Sequence, residues 1–123
     1  MSAGPPRPGV ASGSPFEDAY GFRRAVVAHD RIVVSGTAPI EPGGGCVEGA
    51  EAQADRCFAI IVEALRELGS GPEEVVRTRM YVVDAADADA VGRAHRRVFG
   101  TARPAATMVV VAGLLDPRWR VEI

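Results

Sequence analysis

Arg103 to Ile123, RPAATMVVVAGLLDPRWRVEI, constrains the fold more than any other stretch. Two apolar, β-rich runs are joined by a Gly-Leu-Leu-Asp-Pro turn, and a carboxylate closes the second run. If the run from Trp119 is a strand, period-2 alternation puts Arg118, Arg120 and Glu122 on one face and Trp119, Val121 and Ile123 on the other. Glu122 is then a carboxylate inside a core strand, with arginine neighbours. In the first run Ala106, Met108, Val110 and Ala112 share one face, and Thr107, Val109 and Val111 share the other. Both faces are largely apolar, so this strand is expected to be covered on both sides.

The rest of the chain supplies partners for these strands. YGFRRAVVAHD followed by RIVVSG reads as a hairpin of two strands, starting at Tyr20 and turning at His29-Asp30-Arg31. Thr37 to Glu48, with Pro39, Pro42 and Gly43-Gly44-Gly45, reads as a loop; it lacks the Lys-Ser/Thr of a P-loop and the spacing of a dinucleotide fingerprint. From Gly49 the period changes. Ala50, Ala54, Cys57 with Phe58, Ile61, Leu65 and Leu68 recur at helical steps, and Gly69 with Gly71-Pro72 ends the helix. Val75 to Val83 reads as a strand with Val76, Thr78, Met80 and Val82 on the face that meets a helix. Arg77, Arg79, Tyr81 and Val83 lie on the other, either solvated, in interface salt bridges, or lining a cleft for an anionic ligand. Asp87 to Phe99 reads as a second helix with Ala88, Val91, His95 and Val98 on one stripe; His95 has no evident catalytic partner. The order β-β-α-β-α-β-β implies an α+β sandwich with two helices on one face of a mixed sheet, and the strands at 75–83 and 104–112 parallel through a helical crossover.

Bulk properties narrow the chemistry. The chain has 123 residues, which suits one domain that associates to cover its sheet. Residues 1–15, rich in Gly, Pro, Ser and Ala, are expected to form an extended or disordered tail before a single domain at 16–123. A formal charge of -2 gives no global basic field for nucleic acid. All 14 basic residues are Arg, so no lysine can form a Schiff base or hold pyridoxal phosphate. Cys46 and Cys57 fit reduced thiols in a cytoplasmic protein better than a disulfide framework or a metal pair. No apolar run is long enough to span a membrane. No cofactor and no metal are expected.

RIVVSGTAPI, VVRTRMYVVDAADADAVGRAHRRVFG and RPAATMVVVAGL followed by RVEI resemble the reactive intermediate imine deaminase family, RidA or YjgF, over residues 16–123. The resemblance implies a chorismate-mutase-like α+β fold, a homotrimer, and small-molecule clefts between neighbouring subunits. It also implies a glutamate on the last strand that activates water against a 2-enamine or 2-imine, giving a 2-oxo acid and ammonia. Glu122 falls on that glutamate. The arginine that binds the substrate carboxylate falls on Ala106, which offers neither donor nor charge. Tyr20 and Ser35 match family cleft positions, whereas Gly92 replaces an asparagine and Met108 a cysteine.

The candidate site is therefore Glu122 as the catalytic group, with Tyr20, Ser35, Ala106, Thr107 and Met108 around the ligand and Arg79 or Arg120 able to reach the cleft. Two readings follow. In the first, Glu122 activates water against an imine, enamine or related small compound lacking the usual carboxylate. In the second, a non-catalytic trimer binds or senses a small ligand. A salt bridge from Arg120 to Glu122 would make that carboxylate structural. The partners expected are a small molecule and two further copies of the chain, with no nucleic acid and no membrane.

Overall fold

A computed structural model describes residues 7–123. Of the stretch read as a tail, residues 1–6 lie outside the described residues. Gly9–Val10 forms strand β1, paired antiparallel with Ala25–Ala28 (β2). Between them Phe16–Tyr20 makes a short helix, α1, closed by Gly21 at φ 77°. Tyr20 therefore ends a helix and does not begin a strand: the Gly-Phe step after it turns the chain before the β-branched run starts.

The hairpin is present. β2 pairs antiparallel with Arg31–Val34 (β3), and Ala28 opposite Arg31 leaves a two-residue turn with His29 at φ 56°. The glycine-rich loop follows, folded back by an isolated bridge between Ile40 and Cys46. Helix α2 spans Ala50–Glu67 and helix α3 Ala88–Phe99. Between them lies Arg77–Val82 (β4), and after α3 come Ala105–Val110 (β5) and Val121–Glu122 (β6). β4 and β5 are parallel, in register from Arg77 opposite Ala105 to Val82 opposite Val110. β6 is antiparallel to β4 on its other side.

The strands form two three-stranded sheets, β1-β2-β3 and β5-β4-β6. Thr37 and Ile123 join them by reciprocal backbone bonds of 2.7 and 3.0 Å. The sheet is thus mixed, with α2 and α3 on one face, which is the α+β, chorismate-mutase-like arrangement.

The helices sit where their apolar stripes dictate. Ala54, Cys57, Phe58, Ile61 and Leu65 of α2 and Val91, Ala94 and Phe99 of α3 form one buried cluster with Met80, Val82 and Val121. Phe58 meets Phe99 edge to face at 5.5 Å, and burying each ring contributes about 1.5–3 kcal/mol. On the outer surface Arg93 and Arg97 of α3 pair with Glu51, and Arg97 also with Asp55. These exposed pairs add little stability but fix how the two helices lie together. His95 is half-buried among Phe58 and Phe99, with Nε2 2.9 Å from Thr78 Oγ1. It is a packed side chain with a hydroxyl partner.

β5 is an outer strand of its sheet. Of its six residues only Met108 falls below the exposed range, and Val109 and Val110 are 41 % and 57 % exposed. Within one chain Met108 is the residue of this edge strand packed against the helical core, while the opposite face stays open.

Candidate functional site

Glu122 stands on β6 directly opposite Tyr81 of β4. Opposed residues project to the same side of a sheet, and Val121 beside it is fully buried against the helices. Glu122 therefore lies on the face the helices leave uncovered, half-buried.

Three contacts hold so short a strand in place. Ile123, the residue that follows it, is clamped by its pairing with Thr37. Val83 N donates to Arg120 O at 3.2 Å. The third is Gln53, 2 % exposed on α2, whose Oε1 accepts from Arg120 N at 2.7 Å. Its Nε2 donates to Arg118 O and Val47 O, each at 2.9 Å. One buried amide thus ties the approach to β6 to the helix and to the glycine-rich loop.

The carboxylate of Glu122 rests on Gly36. A Cβ at Gly36 would meet Glu122 Oε2 at 2.7 Å and Cδ at 3.5 Å. The same backbone holds Arg24, whose Nη1 donates to Gly36 O at 3.1 Å, to Thr37 Oγ1 at 2.8 Å and, longer, to Ser35 O at 3.4 Å. Burial lowers the Arg24 pKa, and the negative charge of Glu122 pulls it back up. The two side chains are thus electrostatic neighbours, yet among the described residues they form no direct ion pair. Beneath them the Cys57 thiol is pushed up to about 12, by burial first and by the Glu122 charge second.

The other sequence-derived site residues divide. Arg79 and Thr107 oppose each other across β4 and β5 on the uncovered face, as Glu122 does; Arg77 Nη2 donates to Thr107 Oγ1. Ala106 and Met108 oppose Thr78 and Met80, the helix-facing residues of β4, so within one chain they lie on the other side of the sheet from Glu122. Ser35 donates its hydroxyl to Arg23 O and its N–H to Arg24 O. Tyr20 is 71 % exposed and stacks on Phe16 at 5.2 Å. Arg120 does not reach Glu122: its Nε and Nη2 hold Asp87 Oδ2 at 2.8 and 2.7 Å. Asp87 starts α3 and presents the nearer carboxylate.

A groove of about 970 Å³ opens between β3 and β4 over Phe58, Ile61 and Leu65, and Ser35, Gly36, Tyr81 and Ile123 line its walls. Gly36, Tyr81 and Ile123 neighbour Glu122, which does not itself line the groove. Among the described residues no group of His, Cys, Asp and Glu side chains could hold a metal ion, and no helix is long and apolar enough to cross a membrane.

Arg24, Gly36 and Gln53 were not found from the sequence. Gln53 alone left a signal, as a polar residue on the buried stripe of α2. Arg24 and Gly36 act through a loop whose path no periodicity reports.

Comparison with known proteins gives consistent matches. The family described as Endoribonuclease L-PSP matches residues 14–123. The uncharacterized protein SCO2049 of Streptomyces coelicolor is 43% identical over 115 residues, 93% of this chain and 86% of that protein. Rv2704 of Mycobacterium tuberculosis, described as a member of the YjgF/YER057c/UK114 family, superposes with a TM-score of 0.86 at 38% identity, over 95% of this chain and 94% of its own. RidA from an Antarctic Psychrobacter superposes at 0.79 with 23% identity, over 93% and 88%, a likeness of fold.

Proposed function

The chain belongs to the Endoribonuclease L-PSP family, the YjgF/RidA proteins, and from that premise we propose that it hydrolyses a small imine or enamine with Glu122 as general base. The observation that carries this reading is the state of Glu122. Arg120, the residue best placed by sequence to neutralise it, is held by Asp87. The Glu122 side chain is packed on the backbone of Gly36, which itself lines the groove between β3 and β4 and brings no side chain between the two.

The chemistry balances with water alone. Glu122 takes a proton from water as the oxygen attacks the imine carbon, and the C=N π pair moves to nitrogen. Glu122 returns that proton to nitrogen to give the carbinolamine, which then collapses: the C–N bond breaks, the hydroxyl proton passes to nitrogen by way of the same carboxylate, and ammonia leaves with a carbonyl compound behind. A general base in this role contributes about 10²–10⁴ in rate. We place the clefts between copies of a cytoplasmic homotrimer. The uncovered sheet face supports association, since Val33 and Val109 there are 53 % and 41 % exposed. The family description speaks of RNA cleavage, but a chain of net charge -2 has little to hold a polyanion. The alternative, a trimer that binds its ligand without turnover, is favoured by the absence of a charged group at Ala106.

The test is ammonia release from freshly generated imines, with and without an acid group, by the parent and by Glu122→Gln. Turnover by the parent that falls at least a hundredfold in Glu122→Gln is the expected result. Equal rates in both proteins would end the hydrolytic reading, and ligand binding without turnover would leave the alternative.

A further inference from the structure

Position 106 carries no charge, yet the neighbourhood of Glu122 is not without a cation. We propose that Arg24 is the anion anchor of this site, its guanidinium presenting donors beside Glu122 to the carboxylate of a small substrate. The proposal rests on the reading of Glu122 given above and specifies which compounds that site takes.

The geometry separates the two tasks of Arg24. All three of its hydrogen bonds run through one nitrogen, Nη1, which hooks the carbonyls of Ser35 and Gly36 and the hydroxyl of Thr37. Thr37 is fully buried and its hydroxyl is itself bonded to Ser35 O at 2.8 Å, so the hook is rigid. Nε and Nη2 have no partner among the described residues. Neither is sealed in, because the indole nitrogen of Trp119 is the buried side-chain nitrogen or oxygen without a partner there. A guanidinium fixed by one corner, with its other edge open, is preorganised for bidentate pairing with a carboxylate.

The location is equally specific. Gly36 joins the two groups: its carbonyl accepts from Arg24, and the Glu122 carboxylate lies against its Cα. An acid group paired with Arg24 would bring the adjoining carbon within reach of a water held by Glu122. Partial burial makes the cation costly, and Glu122 offsets this only at a distance; a bound carboxylate would offset it directly.

The arrangement also turns the substrate around. Arg24 approaches Glu122 from the β2–β3 side through the Ser35–Thr37 segment, whereas Ala106 sits on β5, beyond β4 and on the opposite face. The acid group would therefore lie on the other flank of Glu122 from position 106. Arg77 and Arg79 are also cations on the uncovered face, but both are exposed. Arg77 is taken up by Thr107 Oγ1, and among the described residues no side-chain hydrogen bond fixes Arg79 as those through Nη1 fix Arg24.

Titration calorimetry with 2-oxobutyrate and its neutral amide, on the full chain, tests this. The parent should bind the acid at least tenfold more tightly than the amide. Arg24→Met should bind both alike, and Glu122→Gln should keep the preference for the acid. A clamp that is only structural would weaken both ligands together. The proposal is overturned if Arg24→Met keeps the preference, or if the parent shows none. Should Arg24→Met fail to fold, a crystal of the parent with 2-oxobutyrate decides: a carboxylate on Arg24 supports the proposal, and one on Arg79 or elsewhere overturns it. Loss of the acid preference without any turnover in the parent would keep Arg24 as the anchor and remove the hydrolytic reading, so the two can fail separately.

Discussion

The carboxylate of Glu122 lies so close to the Cα of Gly36 that a methyl group there would meet Oε2 at 2.7 Å. The backbone of Gly36 is outside the left-handed region, so alanine is conformationally acceptable and only the contact resists it. The clashing atom is the far end of a flexible side chain, which can move. Gly36→Ala should therefore cost less than about 1 kcal/mol in stability while displacing Glu122. Imine hydrolysis is expected to fall at least tenfold, with the urea midpoint almost unchanged. A large drop in midpoint with normal activity would show that Gly36 serves the fold and not the site.

Gln53 makes four hydrogen bonds from a fully buried amide, two of them to the segment that leads into β6, one to Val47 O and a weaker one to Cys46 Sγ. Gln53→Met keeps the volume but orphans Arg120 N, Arg118 O and Val47 O. Each buried group left without a partner costs about 1–3 kcal/mol. The variant should lose at least about 2 kcal/mol by denaturant titration. Because β6 carries Glu122, turnover should fall even at temperatures where the variant is fully folded.

Cys57 has a thiol raised from 9.0 to about 12, first by burial and then by the charge of Glu122. In the unfolded chain it ionises near its ordinary value, so between about pH 9 and 12 the folded state holds one more proton than the unfolded state. The contribution is complete below pH 9 and is lost as pH rises, by about 1.4 kcal/mol per unit. Cys57→Ala should show a flatter alkaline limb than the parent; the difference between the two curves isolates this thiol from Cys46 and the tyrosines. Alkylation at pH 8 followed by mass spectrometry should modify Cys57 only after unfolding.

The helices and the parallel pair were legible because burial imposes a period. Ala54, Cys57, Ile61 and Leu65 recur at helical steps since one face of α2 meets the sheet, and Thr78, Met80 and Val82 alternate since one face of β4 meets α2 and α3. Glu122 could be placed on a face by the same alternation. Its surroundings could not. Arg120 shares its alternation yet is claimed by Asp87, because the turn before α3 brings that carboxylate nearer, and strand period says nothing of where a long side chain ends. Tyr20 lay ahead of a β-branched run and read as its start, but α1 ends there and Gly21 turns the chain. Arg24 and Gly36 meet Glu122 only because Thr37 pairs with Ile123 across 86 positions of sequence (123 − 37). That closure is a tertiary fact with no local signature.

The uncovered face of the sheet makes the last prediction. Val109 of β5 stands beside Tyr81, and Val33 of β3 is 53 % exposed on the hairpin that continues the sheet. Apolar side chains on a broad sheet face are stable in water only when something covers it, and both helices lie on the other side. A second and third copy of the chain would cover this face and bring their own residues up to Glu122. Val109→Glu places a charge where the copies would meet and should convert a trimer to monomers by light scattering, with circular dichroism unchanged because α2, α3 and their core are untouched. If the clefts are built between copies, the same variant loses imine hydrolysis although Glu122, Gly36 and Arg24 remain in place. Trimers that persist in Val109→Glu would move the interface elsewhere, and a fully active monomer would confine the site to one chain.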